Sequence, residues 1–340
     1  MDSLTHIVVG GALGELTLGK KLGNKAIIAG AIANTIPDFD VFFTGLASSP
    51  AAALHIHRSY THAFFTHPFM ALPAAYLAYI IFRKEISYVK WYLFFLLGFL
   101  THVLMDGGTA YGTQMFLPFT NKLISWNNLA VVDPLFTLPG ILFFLVVFFM
   151  KKVNPLRRKL AAGSLVLSLF YLGTATVNKF NSAAVFKRNM QEQHIRYDDL
   201  TSTPTMFTSW LWNMVAYDDS TLYLSEYSVF QKDKKVDIVA VKRHTELLKP
   251  IEHSYAAETA IWFSQGKYFV QQGTGDTLDF FITKWGRGDF TSTEPKKMFP
   301  FYSKVYTDKT GVTFKTIEPD FTSADFSKYF SLIHNRIFGH

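Results

Sequence analysis

Four apolar stretches in the first half of this 340-residue chain, at 63–82, 89–105, 131–150 and 160–180, constrain it most. Each is long enough, or nearly so, for the roughly 20 helical residues that cross a hydrocarbon core. Charge divides the chain in the same way. Residues 1–180 carry 14 Lys and Arg against 7 Asp and Glu, whereas 181–340 carry 19 of each, so the whole formal charge of +7 belongs to the first half. That pattern excludes a disordered chain, a collagen-like chain and an ordinary soluble globule. The basic residues sit in short segments between apolar runs, as membrane topology requires, and no nucleic-acid partner is expected.

Two weaker stretches, 7–18 and 26–36, are shorter and rich in Gly and Ala. They predict a close-packed helical hairpin, because small residues let helix backbones approach, and leave open whether they span fully. Asp2 stands where a secretory signal would carry positive charge, so no cleavable signal is expected. Eleven of the 14 basic residues fall in three alternate loops: Lys20, Lys21 and Lys25; Arg83, Lys84 and Lys90; and Lys151, Lys152, Arg157, Arg158 and Lys159. The positive-inside rule makes that face cytoplasmic and puts the N-terminus, 37–62, 106–130 and everything after Phe180 outside. Asp2, Asp38, Asp40, Asp106 and Asp133 all fall at the outer ends, an agreement not built into the rule.

From about residue 185 the texture becomes charged, aromatic and alternating. The run 221–229 follows an Asp218-Asp219-Ser220 turn, similar runs flank Gln265-Gly266, and others cover 277–285 and 312–317. These are strand and hairpin signals, with a closing helix over 323–338. The expected fold is an α-helical integral membrane domain of four to six helices over 1–182, followed by a β-rich (α+β) extracytoplasmic domain over 183–340. The protein is then multi-pass in the inner or plasma membrane, with the lipid bilayer as its partner.

With no cysteine in the chain, disulfides, thiolate metal sites and a cysteine nucleophile are excluded. Chemistry must come from the ionisable residues of the membrane half, which are costly there and mark function by default. His102 and Asp106 are four apart and share a helix face, as do Asp2 and His6. Asp38 and Asp40 flank Phe39 after Pro37, while His55, His57, Arg58, Thr61, His62 and His67 crowd the start of the first long stretch. Asp133-Pro134 reads equally as a helix start or as part of a site. His55 and His67 share no helix face with a nearby carboxylate and read as structural or as supports standing behind the ligands. Convergence of the remaining groups on one membrane face points to a metal site. Imidazole and carboxylate without thiolate suit zinc first, with manganese or iron as alternatives. The number of ligands admits one ion or two, bridged by Asp38 or Asp106. Arg58 could hold a phosphate by paired hydrogen bonds or serve as an interfacial anchor; with Thr61 and Asp40 it completes the catalytic candidates.

His6, then Pro37-Asp38-Phe39-Asp40, then His57-Arg58-Ser59-Tyr60-Thr61-His62, then Leu100-Thr101-His102-Val103-Leu104-Met105-Asp106 followed by Thr109, Gly112 and Pro118, resembles the YdjM-type family over roughly residues 1–180. That family is described as inner-membrane-associated, as LexA-binding and as of metal-dependent hydrolase type. The resemblance implies His6, Asp38, Asp40, His57, His62, His102 and Asp106 as metal ligands. Some members carry a further His after the second Asp of the loop, where this chain has Val41. A weaker likeness is to zinc-dependent phospholipase C enzymes.

The leading expectation is therefore a membrane hydrolase in which a metal-activated water cleaves a phosphoester, lipids included. His102 lies near the outer end of its span, which reads as interfacial depth. The alternative is a non-catalytic scaffold or regulator with a structural metal, whose site should be closed rather than open. An ion transporter would place its ligands near the midplane on broken helices.

Overall fold

Helix α1 (Ser3–Leu22) begins where the Asp2 carboxylate accepts the Thr5 amide at 3.0 Å. It ends at Gly23, whose φ of +59° reverses the chain and whose N–H reaches Gly19 O at 2.8 Å. Helix α2 (Asn24–Ala33) returns along it. The two backbones touch: a Cβ on Gly14 would lie 2.0 Å from Ala26 O, and one on Gly30 2.0 Å from Gly10 O. The Gly/Ala hairpin expected from sequence is thus present. We describe the protein from a computed structural model that covers residues 1–82, 84–299, 302–309, 311–317 and 323–339. Arg83, one of the topology-setting cations, lies outside the described residues.

The chain divides into two compact units, Met1–Leu46 with Ile56–Thr174, and Ala47–His55 with Ala175–His340. In the first, a 3₁₀ turn over Ile36–Asp40 leads into the short α3 (Val41–Thr44). The long helices there are α5 (His67–Ile81), α6 (Tyr88–Gly107), α7 (Pro134–Val147) and the start of α8 (Leu156–Glu192). Among the described residues, only α6 and α8 are long and apolar enough to span alone; counting each bent helix pair as one span raises the number to four.

Four straight spans at the predicted boundaries are not what forms. Stretch 63–82 starts irregularly and becomes helical only at His67, with Pro68 in the first turn; proline there starts a helix rather than continuing one. The preceding helical segment, Pro50–His62, meets it at 68°. Stretch 131–150 yields 14 helical residues, about 21 Å, because Asp133 caps α7 by accepting Phe136 N at 3.4 Å and Pro134 opens it. Asp133 is therefore a helix cap, and its other oxygen accepts Tyr171 Oη at 3.0 Å.

At the far end of α1, Arg157 is buried against Glu15 through two parallel bonds, Nε to Oε1 at 3.0 Å and Nη2 to Oε2 at 2.7 Å. Its Nη1 donates to Asn24 Oδ1 and to Val147 O and Met150 O at 2.8–2.9 Å. One guanidinium thereby ties α1, α2, α7 and α8 together. Arg157, counted in sequence among the cytoplasmic loop cations, is spent inside the helix packing.

In the second unit, α4 (Pro50–Ile56) contributes Ala51 and Leu54 to a core with Leu248, Ala256, Ala260 and Phe280. Two antiparallel meanders follow. The first contains β1 (Asp199–Pro204), β2 (Leu211–Tyr217), β3 (Thr221–Ser228) and β4 (Val239–Lys242), and the second β5 (Tyr268–Gln272), β6 (Leu278–Ile282), β7 (Tyr302–Asp308) and β8 (Gly311–Ile317). Asp218 Oδ1 accepts the amides of Ser220 and Thr221 and makes the β2–β3 turn. Val215, Leu222 and Leu224 of one sheet pack with Phe269 and Phe281 of the other. Where a strand was expected before Gln265-Gly266, α9 (Tyr255–Ser264) forms instead. Its buried Ala256, Ala257, Ala260 and Phe263 recur at helical spacing, and the Ser254 hydroxyl caps it. A single turn, α10 (Pro295–Met298), precedes β7, and α11 (Ser323–Phe338) forms as expected.

Candidate metal centre

Helix α6 places His102 and Asp106 one turn apart and fully buried. Neighbouring backbone fixes the His102 ring: its Nδ1 donates to Asn34 O at 2.7 Å, while Asn34 Nδ2 donates to His6 O at 2.8 Å. A carbonyl can only accept, so Nδ1 holds a proton and Nε2 of the neutral ring faces inward as a lone pair. His62, also fully buried, is oriented from the opposite side. Its Nδ1 is 2.9 Å from Thr61 Oγ1, which itself donates to Asp40 Oδ2 at 3.2 Å, and 3.4 Å from that same carboxylate oxygen. This arrangement turns His62 Nε2 inward as well.

The two Nε2 atoms are 3.0 Å apart, and two carboxylates join them. Asp38 Oδ1 lies 3.5 and 3.4 Å from His62 and His102 Nε2; Asp106 Oδ2 lies 3.2 and 3.5 Å from the same atoms. The four ligand atoms lie within 4.8 Å of one another. Converging lone pairs on two imidazoles and two carboxylates repel unless a cation sits among them. Asp106 Oδ2 is buried and ion-paired with Arg58 Nε at 3.1 Å, but it makes no hydrogen bond of good geometry and so keeps a lone pair that a metal can take. The donor set, two nitrogens and two oxygens with each histidine held through its other nitrogen, fits a divalent ion.

Of the seven ligands predicted, four form this set. His6 is stacked on the His102 ring at 3.8 Å, with Nε2 3.2 Å from Asp106 Oδ1, and so supports the cluster from the α1 side. The Met1 amine also lies against Asp106 Oδ1. Asp40 sits one layer out, where it accepts His57 Nδ1 at 3.0 Å and the Arg58 amide at 2.6 Å while backing His62. His55 packs on Trp262 at 4.2 Å with Nε2 3.2 Å from Thr259 Oγ1, and His67 Nε2 reaches Thr61 O at 3.2 Å. Neither belongs to the four-residue set.

Arg58 occupies a left-handed backbone position, φ +55°, that a non-glycine residue adopts only when its surroundings impose it. Asp40 takes its N–H, and its C=O accepts Gln114 N at 3.0 Å. The buried guanidinium then lies with Nε 3.1 Å from Asp106 Oδ2, Nη1 3.2 Å from Thr109 Oγ1, and its face over Tyr111 at 4.7 Å. Burial pushes the Tyr111 phenol up to about 12, so it stays neutral beneath the cation.

A family model described as "YdjM inner membrane protein" matches residues 1–182, more than half of the chain and the whole of the metal cluster. The chain belongs to the YdjM family. The family name agrees with the apolar helices in placing the protein in a membrane. Within a stretch of 141 residues the chain is 29% identical to the "Uncharacterized protein YfhP" of Bacillus subtilis (strain 168), a match covering 39% of this chain and 42% of that one. The aligned part is thus about two fifths of the relative's length. No solved structure matches the chain.

Sequence reading missed Asn34, Thr109 and Tyr111, although Thr109 stood in the motif. Asn34 in an otherwise apolar hairpin was the available signal, since a buried amide in such a helix must have partners. Tyr111 carried none, because one Tyr in a loop is ordinary.

Proposed function

We propose that this YdjM-family protein is a membrane-bound, metal-dependent hydrolase that cleaves a phosphoester. The observation that carries this reading is the pairing of the His62/His102/Asp38/Asp106 cluster with a buried arginine 3.1 Å from one of its carboxylates. Those four residues would hold the ion, zinc first by donor type, with manganese or iron the alternatives. A divalent ion there would polarise a phosphoryl oxygen and acidify a water. The chain's own groups supply the rest. Arg58, pinned by Thr109 and Tyr111, offers planar donors suited to a phosphate. His57, with Nδ1 donated to Asp40, can take up or release a proton at Nε2, as a general base or acid does. Thr61 and Asp40 keep His62 in the ligand-competent tautomer.

A closed structural site in a non-catalytic scaffold is the competing reading. Burial of His62, His102 and Asp106 is common to both, but side-chain exposure of 20% at Asp38 and 26% at His57 opens one edge of the cluster, as turnover requires. The surroundings support a lipid substrate. Exposed Phe42 and Phe43 of α3 follow directly on Asp38 and Asp40, and apolar side chains beside the ligands suit a lipid phosphoester.

Metal analysis with turnover of phospholipids and generic phosphoesters tests the proposal. Arg58→Lys keeps the charge but loses the fork, so turnover should fall about 10- to 150-fold at unchanged metal content, the cost of one charge-assisted bond. Unchanged turnover per mole of metal would remove Arg58 from the catalytic set. For topology, we propose that the residues after Phe180 are extracytoplasmic. A cysteine introduced near Lys235 should be labelled from outside intact cells, and one near Pro155 should not; the reverse pattern would invert the orientation.

A further inference from the structure

Helix α11 carries two stripes at four-residue spacing. Tyr329, Ile333 and Ile337 face inward, where Ile333 and Ile337 are buried against Leu211 of β2. The neighbouring stripe, Phe326, Phe330, His334 and Phe338, is exposed, with each phenylalanine 45–48% accessible. Other aromatic rings gather beside it. Phe207 lies 5.0 Å from Phe330, Phe230 lies 5.2 Å from Phe338, and Trp210 packs edge-on to both Phe230 and Phe338. Met206, next to Phe207, is 43% exposed. Single exposed apolar residues need no explanation, but a contiguous aromatic face does.

Its position identifies what covers it. The loop that bears Met206, Phe207 and Trp210 is bonded to α8 through Asn178 Nδ2 and Ser209 O at 3.2 Å. Asn178 lies on a helix able to span the bilayer, between exposed Val177 (57%) and Phe180 (66%), and just before Val185 and Phe186, which are buried in the core of the second unit. The patch therefore adjoins the point where α8 leaves the hydrocarbon, the depth at which tryptophan and other aromatic rings collect in membrane proteins. We infer that α11 and the 206–210 loop form an interfacial platform that seats the second unit on the surface of the bilayer. Its apolar stripe enters the headgroup region, as the amphipathic helices of surface-bound proteins do. This inference is independent of the metal centre and of which membrane face is cytoplasmic.

The absence of cysteine makes the test direct. Single cysteines at Phe330, Met206 and Asp276, the last exposed in the β5–β6 turn, take a nitroxide label in the full chain reconstituted in phosphatidylcholine–phosphatidylglycerol vesicles. Labels at 330 and 206 should be severalfold more accessible to oxygen than to a water-soluble nickel chelate, and the label at 276 should show the opposite ratio. Two sites guard against local disruption by either substitution. Equal, water-like ratios at all three positions would overturn the inference. So would strong dipolar broadening at 330 that persists in detergent, because a second copy would then cover the patch.

Discussion

Purified His102→Ala protein should hold no more than background metal, while still inserting and eluting from detergent as the native protein does. His102 has both ring nitrogens committed, one to Asn34 O and one to the cluster, so its loss removes a ligand and opens the site together. A ligand should cost at least the upper end of the roughly 10- to 100-fold affinity loss typical of the residues behind ligands. Asp40 is such a residue. It backs His62 without belonging to the four, so Asp40→Asn should lower affinity within that range and leave a measurable bound fraction. His194→Ala and His253→Ala, on exposed side chains of the second unit, should keep full occupancy. Atomic emission analysis of each variant reads the order directly. Stoichiometric metal in His102→Ala would show that the ion binds elsewhere and would remove the basis of the hydrolase reading.

The largest loss of stability should come from the opposite end of the helix bundle. Glu15→Ala leaves the Arg157 guanidinium, 1% exposed, facing an apolar void. Breaking a buried ion pair from one side costs about 3–5 kcal/mol, because the remaining charge has neither water nor a counter-charge, and neutral acceptors reach only its Nη1. Membrane yield and thermal stability in detergent should both collapse. Replacing both partners, Glu15→Leu with Arg157→Met, should recover much of the loss, since no charge is then stranded. Recovery should be incomplete, because Asn24 Oδ1 and the carbonyls of Val147 and Met150 lose their donor. A single Glu15→Ala variant as stable as the parent would mean that the pair carries no structural load.

Much of this protein is legible from sequence because its signals are local. Hydropathy marks α6 and α8, since a helix must satisfy its backbone internally wherever lipid surrounds it. Gly10, Gly14 and Gly30 mark the close hairpin, because a Cβ at any of them would fall 2.0–2.3 Å from a facing carbonyl oxygen. The His102–Asp106 pair follows from the 3.6-residue period alone, and the turn at Asp218 from side-chain chemistry two and three residues away.

Tertiary structure decided the remainder. Seven candidate ligands were equivalent by residue type, and only packing sorted them, by placing Asp38, His62, His102 and Asp106 in contact and Asp40 and His57 one layer out. Backbone carbonyls such as Asn34 O choose which imidazole nitrogen is a lone pair, and every residue has a carbonyl, so composition cannot single that one out. Arg157 looked like a loop cation because sequence records charge but not burial; Glu15, 142 positions away, makes it a core residue. Helix breaks before His67 and Pro134 were invisible to a hydropathy average, since apolar side chains continue through them while the backbone bends to bring polar ligands together.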